Sequence, residues 1–243
     1  MKKTCLLTLV IAGLGSASFG AATPNAKSMI WKSIHAHQTL GPCVIKATFV
    51  RQEATGVKTV LTGTVRWNDS THYVEQLRTS KGSGSIYVNG SDQVFVNKPR
   101  KLWLRLDPND PELQVVRERL RLLLPNAVTS ELTTIVQNPD VARILTRVPL
   151  TTTKINGTPS YRLYGQTGTT PEGSAAFVAF AFGRSDALVR KAAVRDADGN
   201  TTRITANYAR QARRFPASNF RFQRPADYTE GVGIDDFFGP DVH

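Results

Sequence analysis

The run Thr59-Val-Leu-Thr-Gly-Thr-Val-Arg-Trp67 sets Thr59, Leu61, Gly63, Val65 and Trp67 on one side of an extended chain. Val60, Thr62, Thr64 and Arg66 fall on the other. A period of two is the mark of a β-strand with one apolar and one wetter face. The alternation continues on both sides of this run, over Val44 to Leu106. Ile45, Ala47 and Phe49 oppose Lys46, Thr48 and Val50; Tyr73 to Arg78, Ser85 to Val88 and Gln93 to Val96 follow; Leu102, Leu104 and Leu106 then oppose Lys101, Trp103 and Arg105. Asn89-Gly90 between two such runs is a hairpin signal, because a tight primed turn needs residues that tolerate positive φ. The pattern predicts an antiparallel sheet with one apolar face, which the rest of the chain must cover or extend.

Outward from the sheet, Ala26 to Thr39 reads as a helix with Met29, Ile30, Ile34 and His37 near one stripe, stopped by Leu40-Gly41-Pro42. After the sheet, Asp110 caps and Pro111 starts a second helix. Its stripe is Leu113, Val116, Leu120, Leu123 and Leu124, with Val115 and Leu122 widening the apolar arc, and Pro125 ends it. Thr129 or Ser130 caps a further segment carrying Leu132, Ile135 and Val136, and Asn138-Pro139 opens a third carrying Val141, Ile144 and Leu145. Strands resume at Thr151 and turn at Asn156-Gly157, Gly183 to Asp186 and Asp198-Gly199, with a last run at Phe220 and Phe222. About eleven strands result, enough to curl into a barrel-like sheet whose mouth can hold a ligand. The expected class is α+β, mainly β.

Lys2 and Lys3, the apolar run Cys5 to Leu14 and the small residues Gly15 to Ala22 read as a secretory signal peptide over residues 1–22. Residues 23–225 are expected to form one folded body and 226–243 a loose acidic tail. The exported protein then keeps Cys43 alone, which reads as a small apolar residue and excludes an internal disulfide. The formal charge is +12, but residues 226–243 hold five acids and no Lys or Arg, leaving +17 on residues 1–225. Such a body attracts anionic lipid or an acidic partner. Nucleic acid is not expected, since export removes it and no recognition motif occurs.

Catalytic constellations are missing. His35 and His37 sit two apart on a predicted helix and point in different directions, so with His72 they make a poor metal site. Asp107, Asn109 and Asp110 lack the Gly and terminal Glu of a calcium loop and read as capping residues. There is no Gly-x-Ser-x-Gly, phosphate loop or His-Glu-x-x-His. No catalytic residue, metal or cofactor is expected. What remains is an apolar concavity lidded by apolar helices, which is either core or binding site.

In this order the chain resembles the LolA/LolB-like lipoprotein carrier superfamily, specifically its exported, unlipidated branch. The resemblance is carried by a helix leading into Val44-Ile-Lys-Ala-Thr-Phe-Val-Arg-Gln52, then Leu61-Thr-Gly-Thr-Val-Arg-Trp67, then Tyr87-Val-Asn-Gly-Ser-Asp-Gln-Val-Phe-Val-Asn97. Helices between two blocks of strands follow, with Asn156-Gly-Thr-Pro-Ser-Tyr-Arg-Leu163, Arg195-Asp-Ala-Asp-Gly199 and the stretch Phe215 to Pro225 at the end. It implies an incomplete antiparallel barrel with a helical lid, a periplasmic location, and carriage of lipoprotein acyl chains toward the outer membrane. It also implies an inner-membrane release complex and an outer-membrane acceptor as partners of a monomer. The best-known members carry a basic residue and a proline after the second strand, and that arginine holds the lid shut. Here the place reads Trp67-Asn68-Asp69-Ser70, with Arg66 set earlier on the opposite strand face, so either lid closure uses another contact or the protein is not a strict carrier. The expected lining is Phe49, Leu61, Val65, Trp67, Leu77, Val94 and Val96 from the sheet and Leu113, Val116, Leu120 and Leu123 from the lid. A lipid- or lipoprotein-binding sensor of the same fold, or a structural envelope protein with a filled interior, is the alternative.

Overall fold

The computed structural model describes residues 24–79, 82–105, 124–170 and 173–231, excepting the side chains of 140, 141, 144, 167 and 168. Asn25 caps helix α1 (Ala26–Gln38), its Oδ1 accepting the Ser28 amide at 2.8 Å. Strands β1 (Cys43–Gln52), β2 (Lys58–Asp69), β3 (His72–Arg78), β4 (Ser83–Asn89), β5 (Asp92–Asn97) and β6 (Leu102–Arg105) follow. Helices α2 (Pro125–Gln137) and α3 (Pro139–Leu145) precede β7 (Thr151–Ile155), β8 (Thr158–Thr169), β9 (Ala175–Gly183), β10 (Val189–Arg195) and β11 (Thr201–Arg210). A 3₁₀ turn at Ala217–Phe220 and a short β12 (Thr229–Glu230) complete the described elements.

The protein is mainly β, as its alternation requires. All twelve strands join one open sheet in the order β12-β6-β5-β4-β3-β2-β1-β11-β10-β9-β8-β7. Neighbours from β2 to β6 and from β7 to β11 pair antiparallel, and β12 runs parallel to its neighbour, β6. Asn156 and Gly157 both take positive φ, 48° and 79°, giving the tight β7–β8 turn that their sequence predicts.

By contacts the chain forms two compact units. One comprises Met1–Gln38, Val50–Lys58 and Val128–Thr205. Its core joins Ala26, Met29, Ile30 and Ile34 of α1 to Leu132 and Val136 of α2, Leu145 of α3, and Leu163, Phe182 and Val189 of the sheet. The stripe read along α1 is therefore the buried one. The other unit comprises Thr39–Phe49, Thr59–Ala127 and Ala206–His243, and it carries the strands on which the sequence reading began.

Pro125 begins α2, where its missing N–H costs nothing. Two local expectations change. Phe220 and Phe222 form no strand; Phe220 closes the 3₁₀ turn. Where a loose tail is expected from residue 226, Thr229 and Glu230 pair with Leu102 and Trp103, and Asp227 bridges Lys101 at 2.8 Å. The predicted helix over 111–124 lies almost wholly outside the described residues.

Candidate functional site

Register decides which side chains of the second unit share a face, because residues directly opposite in an antiparallel pair point the same way. Gly63 faces Leu77, Val65 faces Glu75 and Trp67 faces Tyr73. Tyr73, Glu75 and Leu77 in turn face Val88, Ile86 and Gly84, and Ile86 faces Phe95, which faces Leu104. One face of β2–β6 is thus a continuous apolar surface. Leu61, Val65, Trp67, Leu77, Ile86, Val88 and Phe95 are all buried in it. Phe95 lies so close over Gly84 that a Cβ there would meet its ring at 2.7 Å, so the missing side chain at Gly84 is a condition of the packing.

Four expected lining residues, Leu61, Val65, Trp67 and Leu77, come together here. Val94 and Val96 do not, for the register puts them with Tyr87 and Ser85 on the opposite face. They are buried, Val96 fully, and the central position of their strand is Phe95. Reading a residue's face within β5 is easy, but relating it to β2 needs three successive registers, which no local alternation supplies. Phe49 is half-buried near the end of β1. Leu113, Val116, Leu120 and Leu123 lie outside the described residues.

Two polar groups sit in this apolar face. Glu75 is 1% exposed and its Oε1 has no hydrogen-bond partner; the Trp67 indole Nε1 is equally unpartnered. The two residues are diagonal neighbours on one face, offset by two residues in the β2–β3 register. Burial pushes the Glu75 carboxyl up to about 8, so it is neutral and a hydrogen-bond donor at pH 7. Most buried polar atoms are satisfied, so an acceptor-seeking pair inside an apolar face calls for an explanation. Glu75 escaped the search for chemistry because it is solitary, yet its place between Tyr73 and Leu77 on a period of two was the available signal.

The opposite face is crossed by the chain after β11. Asn68 clamps Phe215, donating from Nδ2 to its carbonyl and accepting its amide at Oδ1, both at 3.0 Å, and Arg214 pairs with Asp69. Phe220 then packs on His72, Phe222 on Tyr87, and the Arg224 guanidinium over the Trp103 ring at 5.6 Å. The stretch before the expected tail is thus a strap tied to β2, β3, β4 and β6. Two histidines are held by local hydrogen bonds. His72 bonds Asp69 at 3.0 Å, and buried His37 donates from Nδ1 to the Ser33 carbonyl at 2.8 Å, its pKa lowered by burial. Among the described residues no three His, Cys, Asp or Glu side chains are grouped to hold a metal ion, and no helix is long and apolar enough to cross a membrane.

The solved structures to which this chain is similar are LolA-like. No family model matches the chain, and no curated protein matches it by sequence. A LolA superfamily protein from Nitrosomonas europaea is 10% identical, with a TM-score of 0.36, covering 82% of this chain and 99% of that one. LprF from Mycobacterium bovis is 11% identical (TM-score 0.43), covering 79% and 96%. The MucA/MucB complex of Pseudomonas aeruginosa gives 12% identity and a TM-score of 0.41; 82% of this chain matches, but only 61% of that one.

Proposed function

We propose that this protein is an exported carrier that shields lipoprotein acyl chains on the apolar face of β2–β6 and moves lipoproteins toward the outer membrane. The observation that supports it best is that face itself, apolar across five strands yet holding a neutral carboxyl whose Oε1 has no partner and an indole N–H that has none either. A core that exists only to be packed gains nothing from two unsatisfied donors, whereas an acyl ester or amide carbonyl would accept from both. The driving force is large. Each CH₂ removed from water contributes roughly 0.8 kcal/mol, so a multi-acylated lipid does not cross water unshielded. No covalent step is required, only opening and closing of the cover over this face. The test is native mass spectrometry of the mature protein purified without detergent from its own host. A co-purifying acylated peptide or lipoprotein is expected. A clean apo mass that stays clean after incubation with lipoprotein would refute the carrier reading and leave a structural envelope protein.

A second reading, a lipid-binding sensor that signals through a protein partner, draws support from the strongly basic outer face of β8–β11. It predicts tight one-to-one protein binding without lipid transfer.

A further inference from the structure

The sheet of the first unit has a buried face toward its three helices and an outer face of different composition. Successive registers lay the outer face out in rows. Arg162, Ala181, Lys191 and Thr205 stand side by side across β8–β11; Tyr164, Ala179, Ala193 and Arg203 form the next row; Gln166, Phe177, Arg195 and Thr201 form a third. Alanines therefore make a floor along β9 and β10, with Ala181 3% and Ala193 6% exposed beneath the longer chains around them. Arg162 and Lys191 rise on either side of Ala181, and Arg203 rises beyond Ala193. The resulting groove has a volume of about 280 Å³. That is just below the roughly 300–1,000 Å³ typical of small-molecule pockets, so it suits a single polar headgroup rather than a whole ligand.

Its electrostatics are one-sided. No acidic residue occupies this face of β7–β11 among the described residues. Arg162, Lys191 and Arg203 are exposed and have no ion-pair partner among the described residues, and the Arg162 guanidinium rests against the Tyr164 ring at 5.4 Å. A fourth cation, Arg195, stands opposite Phe177, and its buried Nε has no hydrogen-bond partner. Of the acids near the strand ends, Asp186 is engaged with Arg190 and Asp196 with Asn200. Tyr164, 42% exposed, packs at a tilt against Phe177 at the same end. Unpaired cations around small residues, with amphipathic rings beside them, are the composition that seeks a phosphate-bearing lipid surface.

We infer that this outer face of β8–β11 docks the protein on an anionic phospholipid bilayer, with a headgroup phosphate seated between Arg162, Lys191 and Arg203. This goes beyond the carrier reading, because it concerns a different strand face and needs no bound acyl chain. It explains a charge excess that the apolar face does not use. A membrane-docked carrier would meet its cargo by a search in two dimensions.

The test is co-sedimentation of the mature protein with vesicles of phosphatidylcholine doped with phosphatidylglycerol, against vesicles of phosphatidylcholine alone. Binding to the anionic vesicles only, weakening steadily with added salt, is expected. Each Arg or Lys near an anionic surface is worth about fivefold in affinity, so Arg162→Gln/Lys191→Gln/Arg203→Gln should bind about a hundredfold more weakly. All three side chains are exposed, and circular dichroism verifies the fold of the variant. The control Lys27→Gln/Lys32→Gln/Lys58→Gln removes the same charge elsewhere and should bind as the parent does. Equal loss in both triples would overturn the assignment in favour of net charge alone. Equal binding to both vesicle types would also overturn it. So would capture of polyglutamate by this face with vesicles ignored, which would identify an acidic protein partner. Failure of lipoprotein co-purification would leave this result untouched, so the two readings fall separately.

Discussion

Replacing Glu75 by Gln tests the apolar face at its most unusual point. The folded protein holds the Glu75 proton up to about pH 8, while the unfolded chain releases it near the ordinary value of 4.5. Between these values the unfolded state binds fewer protons than the folded state, so stability falls as pH rises through the window and levels off outside it. At about 1.4 kcal/mol per pH unit, the whole window costs about 5 kcal/mol, and reaching pH 7 costs about 3 kcal/mol. Gln has nearly the same shape, is uncharged at every pH and escapes this cost. Glu75→Gln should therefore raise Tm at pH 7 by about 6–12 °C for a chain of this size. The gain should shrink toward zero near pH 4.5 and grow to its limit by pH 8. Thermal melts of both proteins across that range provide the measurement. A variant no more stable than the parent at pH 8, or parallel pH profiles for the two, would show that Glu75 is solvated or paired and would remove the argument built on it.

Other perturbations probe the packing directly. Gly84→Ala should cost about 1–3 kcal/mol by driving a methyl into the Phe95 ring, and Phe95→Leu should restore part of the loss in a urea-unfolding double-mutant cycle. Asp186→Asn leaves the buried Arg190 guanidinium without its carboxylate partner and should cost about 3–5 kcal/mol by the same assay. Burial raises the Cys43 thiol to about 12, so it should resist Ellman's reagent at pH 8 in the native protein and react once the protein is unfolded in urea. Leu120→Asp should weaken lipid capture while the circular-dichroism spectrum stays strand-rich; unchanged capture would remove that position from the lining.

The alternation of β2 made Leu61, Gly63, Val65 and Trp67 legible as one face, because a strand's side chains alternate whatever surrounds them. The stripe of α1, the turns at Asn89-Gly90 and Asn156-Gly157, and the break into α3 at Asn138-Pro139 were legible for the same reason. Each depends on residues a few positions apart. Local rules failed where two signals competed. Phe220 and Phe222 alternate like a strand while serving as anchors of a strap.

What the sequence by itself determined was the mainly β character, the apolar face of β2 and β3, and the excess of basic charge. Only tertiary structure decided that Phe95 rather than Val94 or Val96 shares that face, since register accumulates across strands and a one-residue offset inverts it. It decided too that Glu75 is sealed there and held neutral, because desolvation is a property of what packs around a side chain. And it gathered Arg162, Lys191, Arg195 and Arg203, scattered over forty-two residues of chain, onto one strand face, because pairing in a sheet brings together residues that sequence distance keeps apart.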